Sequence, residues 1–339
     1  MSYINAVALS DAASAQDADA VMEISHSSMP TAPPDPVIGA ACRQVVQAAQ
    51  DGLCPVVQSF FDPQTHTVSH VAFDPDSKQA AIIDSVLDYD AASGRTSTGH
   101  AAMMVEWVRQ NGLSVQWLIE THVHADHLSA APWVHGQLGG TLMIGEHIRT
   151  VQNTFGDIFN EGDSFARDGS QFGCLIRDGE GFALGRIPAM ALHVPGHTPA
   201  DMAFIIGNTV FIGDTLFMPD YGTARADFPG GDARTLYRSI RRLLSLPAES
   251  RLFLCHDYKP SDRDHFAWET TVAAQRAHNI HVHDGVDEDS FVAMREARDA
   301  TLDLPDLIIP SVQVNMRGGR LPEPEKNGVR YLKVPVNLL

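Results

Sequence analysis

The 339-residue sequence predicts an α/β protein folded as a four-layer αββα sandwich, with helices outside each of two sheets. Three observations predict it. Short β-prone runs recur along the chain, amphipathic helical segments flank them, and no self-similar period indicates a solenoid or a propeller. A hydrophobic content of 44% supplies enough apolar surface for a sizeable core.

Residues 1–36 are rich in Ala, Ser, Asp and Pro and contain no Lys or Arg, so they have little to bury. They read as a disordered N-terminal tail. A boundary near residue 40 leaves a single domain over 40–339, with a C-terminal extension. PVVQSFF (55–61), HTVSHVAF (66–73) and AAIID (80–84) read as a meander of short strands. In GHAAMMVEWVRQNG, Ala101, Met104, Val105 and Val108 recur at helical spacing, Met103 and Met104 read as core filling, and VQWLIE (115–120) follows as a buried strand. GEHIRTVQNTFGDIF is a predicted helix, and the Gly- and Asp-punctuated stretch after it reads as an excursion from the sheet.

AMALHV, MAFIIG and NTVFIG supply further strands. Residues 233–246 carry Leu236, Ile240, Leu243 and Leu244 on one side of a helix, RLFLC (251–255) is another buried strand, and a helix is expected over His265–Arg276. FVAMREARDATLDL is helical, followed by LIIPSVQVN and, after a Gly/Pro loop, VRYLKVPVNLL.

Lys and Arg number 24 against 42 Asp and Glu, a formal charge of −18, which argues against a nucleic-acid or anionic-membrane partner. Cys42, Cys54, Cys174 and Cys255 form neither a close pair nor a zinc-ribbon spacing, so a reduced, cytoplasmic protein is expected. No segment reads as an export signal or a membrane span.

The chemistry concentrates at strand ends. THVHADHLSA places His122, His124, Asp126 and His127 within six residues directly after the VQWLIE strand. HVPGHTPAD supplies His197, FIGDTL supplies Asp214, and FLCHDY supplies His256, each where an apolar strand emits a short loop. A solvated histidine-rich loop would not be matched by three further metal-competent residues at equivalent places. Thr121, Thr198 and Thr215 adjoin these positions, Asp201 reads as a loop brace, and Gly196 and Gly213 allow tight turns. His278, His281 and His283 read as a surface strand or turn, and Cys255 as a buried thiol pointing away from the His256 side.

The HxHxDH pattern followed by His, Asp and His resembles the metallo-β-lactamase fold from about residue 55 to the C-terminus. Within that fold, THVHADHLSA, PGHTPAD, GDTLF, YGTARADF and LCHDYKP resemble persulfide dioxygenases, the sulfur dioxygenase relatives of glyoxalase II. SVQVN and GVRYLKVPVN look like a bacterial branch with a longer C-terminal region.

The resemblance implies one Fe(II) per chain, held by His122, His197 and Asp214 with a face open to substrate and oxygen. It implies that His124, Asp126, His127 and His256 shape the catalytic pocket through hydrogen bonds, with Tyr258 behind them. Arg225 and Tyr221 are the substrate-binding candidates, Arg225 alternatively bracing its loop through Asp227. The implied reaction oxidises glutathione persulfide with O2 and water to thiol and sulfite. A homodimer or higher homo-oligomer is left open, since no residue pattern selects an oligomeric state.

The ligand residues alone leave a second reading open. In a zinc-dependent glyoxalase II-like thioesterase, His122, His124 and His197 would hold one metal, Asp126, His127 and His256 another, and Asp214 would bridge them. A non-enzymatic metal- or thiol-binding protein is disfavoured by retention of the complete ligand set.

Overall fold

The computed structural model describes residues 35–338. The predicted tail, apart from its last two residues, lies outside the described residues. The expected boundary near residue 40 falls within a helix that the sequence reading did not assign, α1 (Pro36–Gln50). Asp35 caps it, its carboxylate accepting from the N–H groups of Val37 at 2.9 Å and Ile38 at 3.3 Å, and Pro36 sits where no intrahelical donor is needed. Ile38, Ala41, Val45 and Ala48 form its buried stripe, and burial of each of Ile38 and Val45 stabilises the fold by about 1.5–3 kcal/mol.

The first sheet contains β1 (Val56–Phe61), β2 (Val68–Phe73) and β3 (Gln79–Ile83), and the chain then forms a hairpin of β4 (Val86–Asp90) and β5 (Arg95–Ser97). After α2 (Gly99–Gln110) come β6 (Ser114–Ile119), the short β7 (Leu128–Ser129), α3 (Ala131–Leu138) and β8 (Thr141–Gly145). Next are α4 (Ile148–Ile158) and β9 (Cys174–Ile176), so the expected excursion returns a strand to the first sheet. That sheet runs β1-β2-β3-β6-β8-β9, with β3, β6, β8 and β9 parallel.

The second sheet is built from β10 (Gly181–Leu184), β11 (Ile187–His193), β12 (Met202–Ile206) and β13 (Thr209–Phe211), then, after α5 (Ala233–Leu243), β14 (Arg251–Phe253) and β15 (Glu269–Thr271). Helices α6 (Val272–His278), α7 (Glu288–Asp299) and α8 (Ile308–Asn315) follow. A small third sheet orders β5-β4-β7.

Strand alternation explains the layers. In β12, Phe204 and Ile206 face the inter-sheet core with Ile83, Ile119 and Phe253, while Ala203 and Ile205 face α1 and α5. In β3, Ala81 and Ile83 face the same inter-sheet core, while Ala80 and Ile82 meet α2 and its neighbours. Helices therefore cover both outer faces of the sandwich.

Three expectations are corrected. The helix expected over 265–276 is split, because Glu269–Thr271 pairs with β14 as an edge strand and the Thr271 hydroxyl then caps α6 by accepting from Ala274 N–H at 3.1 Å. Helix α7 ends at Asp299, so Leu302 and Leu304 lie in a loop. Met104 is core filling, but Met103 is 59% exposed because it falls on the outer side of α2.

A buried histidine in β2 gives the fold an acid limit. The ring of His70 lies against Phe211 and Phe253, donates from Nε2 to the Leu254 carbonyl at 2.9 Å and accepts at Nδ1 from the Ser59 hydroxyl at 2.9 Å. Burial pushes its pKa down to about 4. The unfolded chain takes up a proton near pH 6.5 that the native ring refuses, so this stabilisation is complete above pH 6.5 and is lost as pH falls toward 4. The loss is on the order of 3 kcal/mol. Urea titrations at pH 7 and pH 4 are expected to show a smaller pH-dependent loss in His70→Gln than in the parent; equal losses would exclude this origin.

Candidate metal centre

All the candidate ligands except His197 sit beyond the C-terminal ends of parallel strands, in both sheets. β3 delivers Asp84, and its parallel neighbour β6 delivers residues 120–127. β13 and its parallel neighbour β14 deliver Asp214 and His256, and the β11–β12 loop delivers His197. Two glycines make this convergence sterically feasible. Gly196 has φ +137°, and a Cβ there would lie 2.3 Å from the Leu236 backbone; Gly213 has φ +53°, and a Cβ there would lie 2.8 Å from Thr121 Oγ1.

His122, His197 and Asp214 come together. Asp214 Oδ2 lies 3.7 Å from Nε2 of His122 and 3.7 Å from Nε2 of His197. Hydrogen bonding fixes which nitrogens are available. The Thr121 hydroxyl donates to Asp84 Oδ2 at 2.9 Å, so at 3.0 Å it accepts from His122 Nδ1–H, and the buried Nε2 of His122 has no hydrogen-bond partner. His197 Nδ1 lies 2.8 Å from the Arg225 carbonyl, which can only accept, so Nδ1–H donates and Nε2 is the ring nitrogen that faces Asp214. Burial and the neighbouring charge of His124 hold His122 well below its usual pKa. Two imidazole rings hydrogen-bonded through Nδ1, with Nε2 turned toward one carboxylate, fit a metal ion by the chemistry of the donor set.

His124 is turned the other way. Its Nε2 donates to Asp84 Oδ1 at 3.0 Å and lies 3.7 Å from Glu120, while its buried Nδ1 has no partner. Burial opposes charge on both members of the close pair, but their attraction prevails, raising His124 to about 9 and lowering Asp84 to about 2. Burial, with Asp84 nearby, pushes Glu120 up to about 8, and the Ser129 hydroxyl lies 2.6 Å from its Oε1.

Asp126, His127 and His256 form a chain leading back to Asp214. His256 donates from Nε2 to Asp126 at 2.6 Å and from Nδ1 to Asp214 at 2.6 Å, and the two carboxylates push its pKa far up against the opposing effect of burial. Two donors sharing one tetrahedral zinc at about 2.0–2.1 Å would stand about 3.3 Å apart, so the 2.6 Å spacings are hydrogen bonds. His127 Nδ1 lies 3.3 Å from the Thr67 hydroxyl, and its buried Nε2 has no partner. Asp201 accepts from Thr198 N–H and hydroxyl at 2.6 and 2.7 Å, bracing the His197 loop, and burial raises its pKa to about 6.

A cavity of about 610 Å³ opens above this cluster, lined by Asp126, His197, Asp214, Tyr221, Arg225 and Tyr258 among others. Tyr258 stacks on His256 with centroids 5.6 Å apart at 8°, and Tyr221 lies 5.3 Å from Tyr258. Arg225 lines the cavity with its guanidinium engaged: Nε and Nη2 donate to the two Asp227 oxygens at 2.6 and 2.8 Å, Nη1 donates to the Asp303 carbonyl at 2.5 Å, and its plane lies over Phe228. This is the geometry of a loop brace. Cys255 is buried as expected, but its Sγ clusters with ligand atoms of Asp214 and His256 and with those of Asp84 and His124, so it does not point away from the site. Burial pushes its thiol well above the usual pKa. In the His278–His283 segment, His281 Nδ1 accepts from Thr223 N–H at 3.1 Å and supports the cavity loop from behind.

Four supporting residues were missed in the sequence: Asp84, Glu120, Thr67 and Asn315. Asp84 and Glu120 each stand at the end of an apolar strand, a readable signal for a buried acid beside the histidine motif. Asn315, at the end of α8, gave none. Its side chain donates to the carbonyls of His124 at 2.9 Å and His127 at 2.8 Å and accepts from Ser129 N–H at 2.8 Å. Asn315→Ala strands three buried backbone groups, so a loss of about 2–4 kcal/mol in unfolding free energy is expected from urea titration. A loss below 1 kcal/mol would show that Asn315 is not the clamp of the histidine loop.

Residues 66–256, more than half of the chain, match the family model described as the metallo-beta-lactamase superfamily. A probable metallo-hydrolase of Burkholderia pseudomallei is 56% identical over 84% of this chain and 99% of its own length, and glyoxylase B2 of Dictyostelium discoideum is 44% identical over 84% and 97%. The human mitochondrial persulfide dioxygenase is 26% identical over 66% of this chain and 76% of its own. Among solved structures, ETHE1 from Myxococcus xanthus is similar with a TM-score of 0.62 and 27% identity, covering 78% of this chain and all of the other. The motif, the strand-end histidines and these similarities agree: the chain belongs to the metallo-β-lactamase superfamily.

Proposed function

We propose that this protein is a non-haem Fe(II)-dependent persulfide dioxygenase acting on glutathione persulfide. In balanced form, GSSH + O2 + H2O gives GSH + SO3²⁻ + 2H⁺. One observation carries the reading: His122, His197 and Asp214 present free donor atoms toward one point beside the cavity, while both nitrogens of His256 are bonded to carboxylates. A two-histidine, one-carboxylate set suits mononuclear iron, and the hydrogen-bonded His256 offers no lone pair to a second ion. When bound, ferrous iron supplies affinity for a soft sulfur and the redox capacity for oxygen chemistry, which zinc lacks.

The chain's own residues supply orientation and proton control. The Arg225 carbonyl holds the His197 ring, and Thr121 holds that of His122, so both metal-facing nitrogens are set before any ligand arrives. His256 carries a proton between Asp126 and Asp214, and Asp126 reaches the cavity wall. Tyr258 and Tyr221 give the cavity an aromatic side next to that pair. Similarity to persulfide dioxygenases in sequence and to ETHE1 in structure supports this reading.

A second reading is favoured by different atoms. The buried, partnerless Nδ1 of His124 and Nε2 of His127 suit a wider ligand set, and the similarity to glyoxylase B2 points toward zinc-dependent hydrolysis of an acyl-glutathione thioester.

A paired assay separates the two. Protein purified anaerobically is expected to hold one iron per chain and to consume oxygen with stoichiometric release of sulfite from glutathione persulfide. Two retained zinc ions, inactivity after iron loading and rapid thioester hydrolysis would replace the dioxygenase with the thioesterase.

Metal analysis of variants tests the ligand set. Asp214→Asn exchanges an anionic ligand for a neutral amide and is expected to lower iron retention by about tenfold or more, whereas His256→Ala should keep iron and lose turnover. Loss of iron only in His256→Ala would refute the assignment.

A further inference from the structure

Three arginines line the cavity, and two are occupied within the fold. Arg225 is held by Asp227 and the Asp303 carbonyl. Arg295 is almost fully buried, with Nε and Nη2 on Asp299 and Nη1 on the Thr223 carbonyl. Arg298, in the last turn of α7, is exposed and has no carboxylate, carbonyl or aromatic partner among the described residues.

The carboxylates of the cavity divide in the same way. Asp62 accepts from Gln64 N–H, Thr65 N–H and the Thr65 hydroxyl. Asp88 accepts from the Ser97 hydroxyl and from the N–H groups that open α2, and Asp126 and Asp214 hold His256. Asp303 and Asp306 are exposed cavity-lining residues whose carboxylates have no donor among the described residues. Arg298, Asp303 and Asp306 all stand on one wall, from the last turn of α7 through the segment leading to α8, with Leu302 and Pro305 supplying apolar surface between them.

We propose that this wall is a head-group subsite for the amino-acid end of glutathione, with Arg298 taking the α-carboxylate and Asp303 and Asp306 taking the α-ammonium. It deepens the dioxygenase reading by assigning residues to the polar end of the thiol, and rests on that reading for the identity of the thiol and the chemistry at the sulfur. An Arg guanidinium pairs two carboxylate oxygens in its own plane, and an ammonium needs anionic acceptors that no internal donor has claimed. The same wall disfavours a phosphorylated carrier such as coenzyme A, because its phosphates would face two unneutralised carboxylates. A simple alkyl persulfide would leave all three charges unmatched.

The test measures sulfite formation from glutathione persulfide and from coenzyme A persulfide by the iron-loaded parent, Arg298→Gln and the double variant Asp303→Asn/Asp306→Asn, with equilibrium dialysis of glutathione against each protein. Arg298→Gln is expected to raise KM for glutathione persulfide by about tenfold or more, leave kcat within about twofold, and weaken glutathione binding to match. The double variant is expected to weaken glutathione and to improve use of coenzyme A persulfide. Unchanged KM and unchanged glutathione binding in both proteins, or equal losses for the two persulfides, would overturn the subsite. A parent that forms no sulfite from either persulfide would overturn the dioxygenase reading alone. The subsite then stands or falls on dialysis: tenfold weaker glutathione binding in Arg298→Gln keeps it, and unchanged binding removes it.

Discussion

Imidazole rings packed as closely as those of His122, His124 and His127, with successive centroids 4.0 and 4.2 Å apart, cannot be solvated, so the protein must specify each ring nitrogen by hydrogen bonding or leave it for a metal. That constraint organises the end of the sandwich. Asp84 serves Thr121 and His124 together, Thr121 in turn fixes His122, and the Arg225 carbonyl fixes His197. Two carboxylates, buried Asp214 and half-buried Asp126, bracket His256. The donor atoms left over on His122 and His197 are a consequence of bonds made on the far sides of their rings.

The same constraint explains why both sheets are needed. Parallel neighbours β3 and β6 bring Asp84 beside the histidine motif in one sheet, and parallel neighbours β13 and β14 bring Asp214 beside His256 in the other. Thr67 joins the halves, since its hydroxyl reaches His127 of one and His256 of the other and its backbone forms a bridge to His256. Displacing either sheet would separate a ring from the carboxylate that sets its proton, at a cost that the inter-sheet core of Phe204, Phe211 and Ile83 opposes.

Most of this was legible where one segment carries both the pattern and the chemistry. The strands ending in His122, Asp214 and His256 announce themselves as apolar runs followed by a polar loop. Asn315 was invisible because its role depends on α8 folding back over residues 124–129 across a separation of 186 residues or more, and nothing local marks such a contact. The split of residues 265–276 into a strand and a helix was hidden for a related reason: β14 offers an edge that Thr270 and Thr271 can pair with, and pairing overrides local propensity. Arg225 shows the limit at a site, since its residue type fits recognition and bracing equally and only the position of Asp227 separates them.

Arg225 also links the two ends of the cavity. Its carbonyl sets the His197 ring, while its guanidinium holds the Asp303 carbonyl on the segment that carries Asp303 and Asp306. A single residue thus ties the position of a metal-facing nitrogen to the placement of the outer wall. Displacing that wall would strain the His197 contact, because one residue makes both bonds and the bidentate bond to Asp227 fixes the plane of the guanidinium. The cavity mouth and the histidine cluster at its floor are therefore tied together through the 221–228 loop, with His281 supporting it from behind at Thr223.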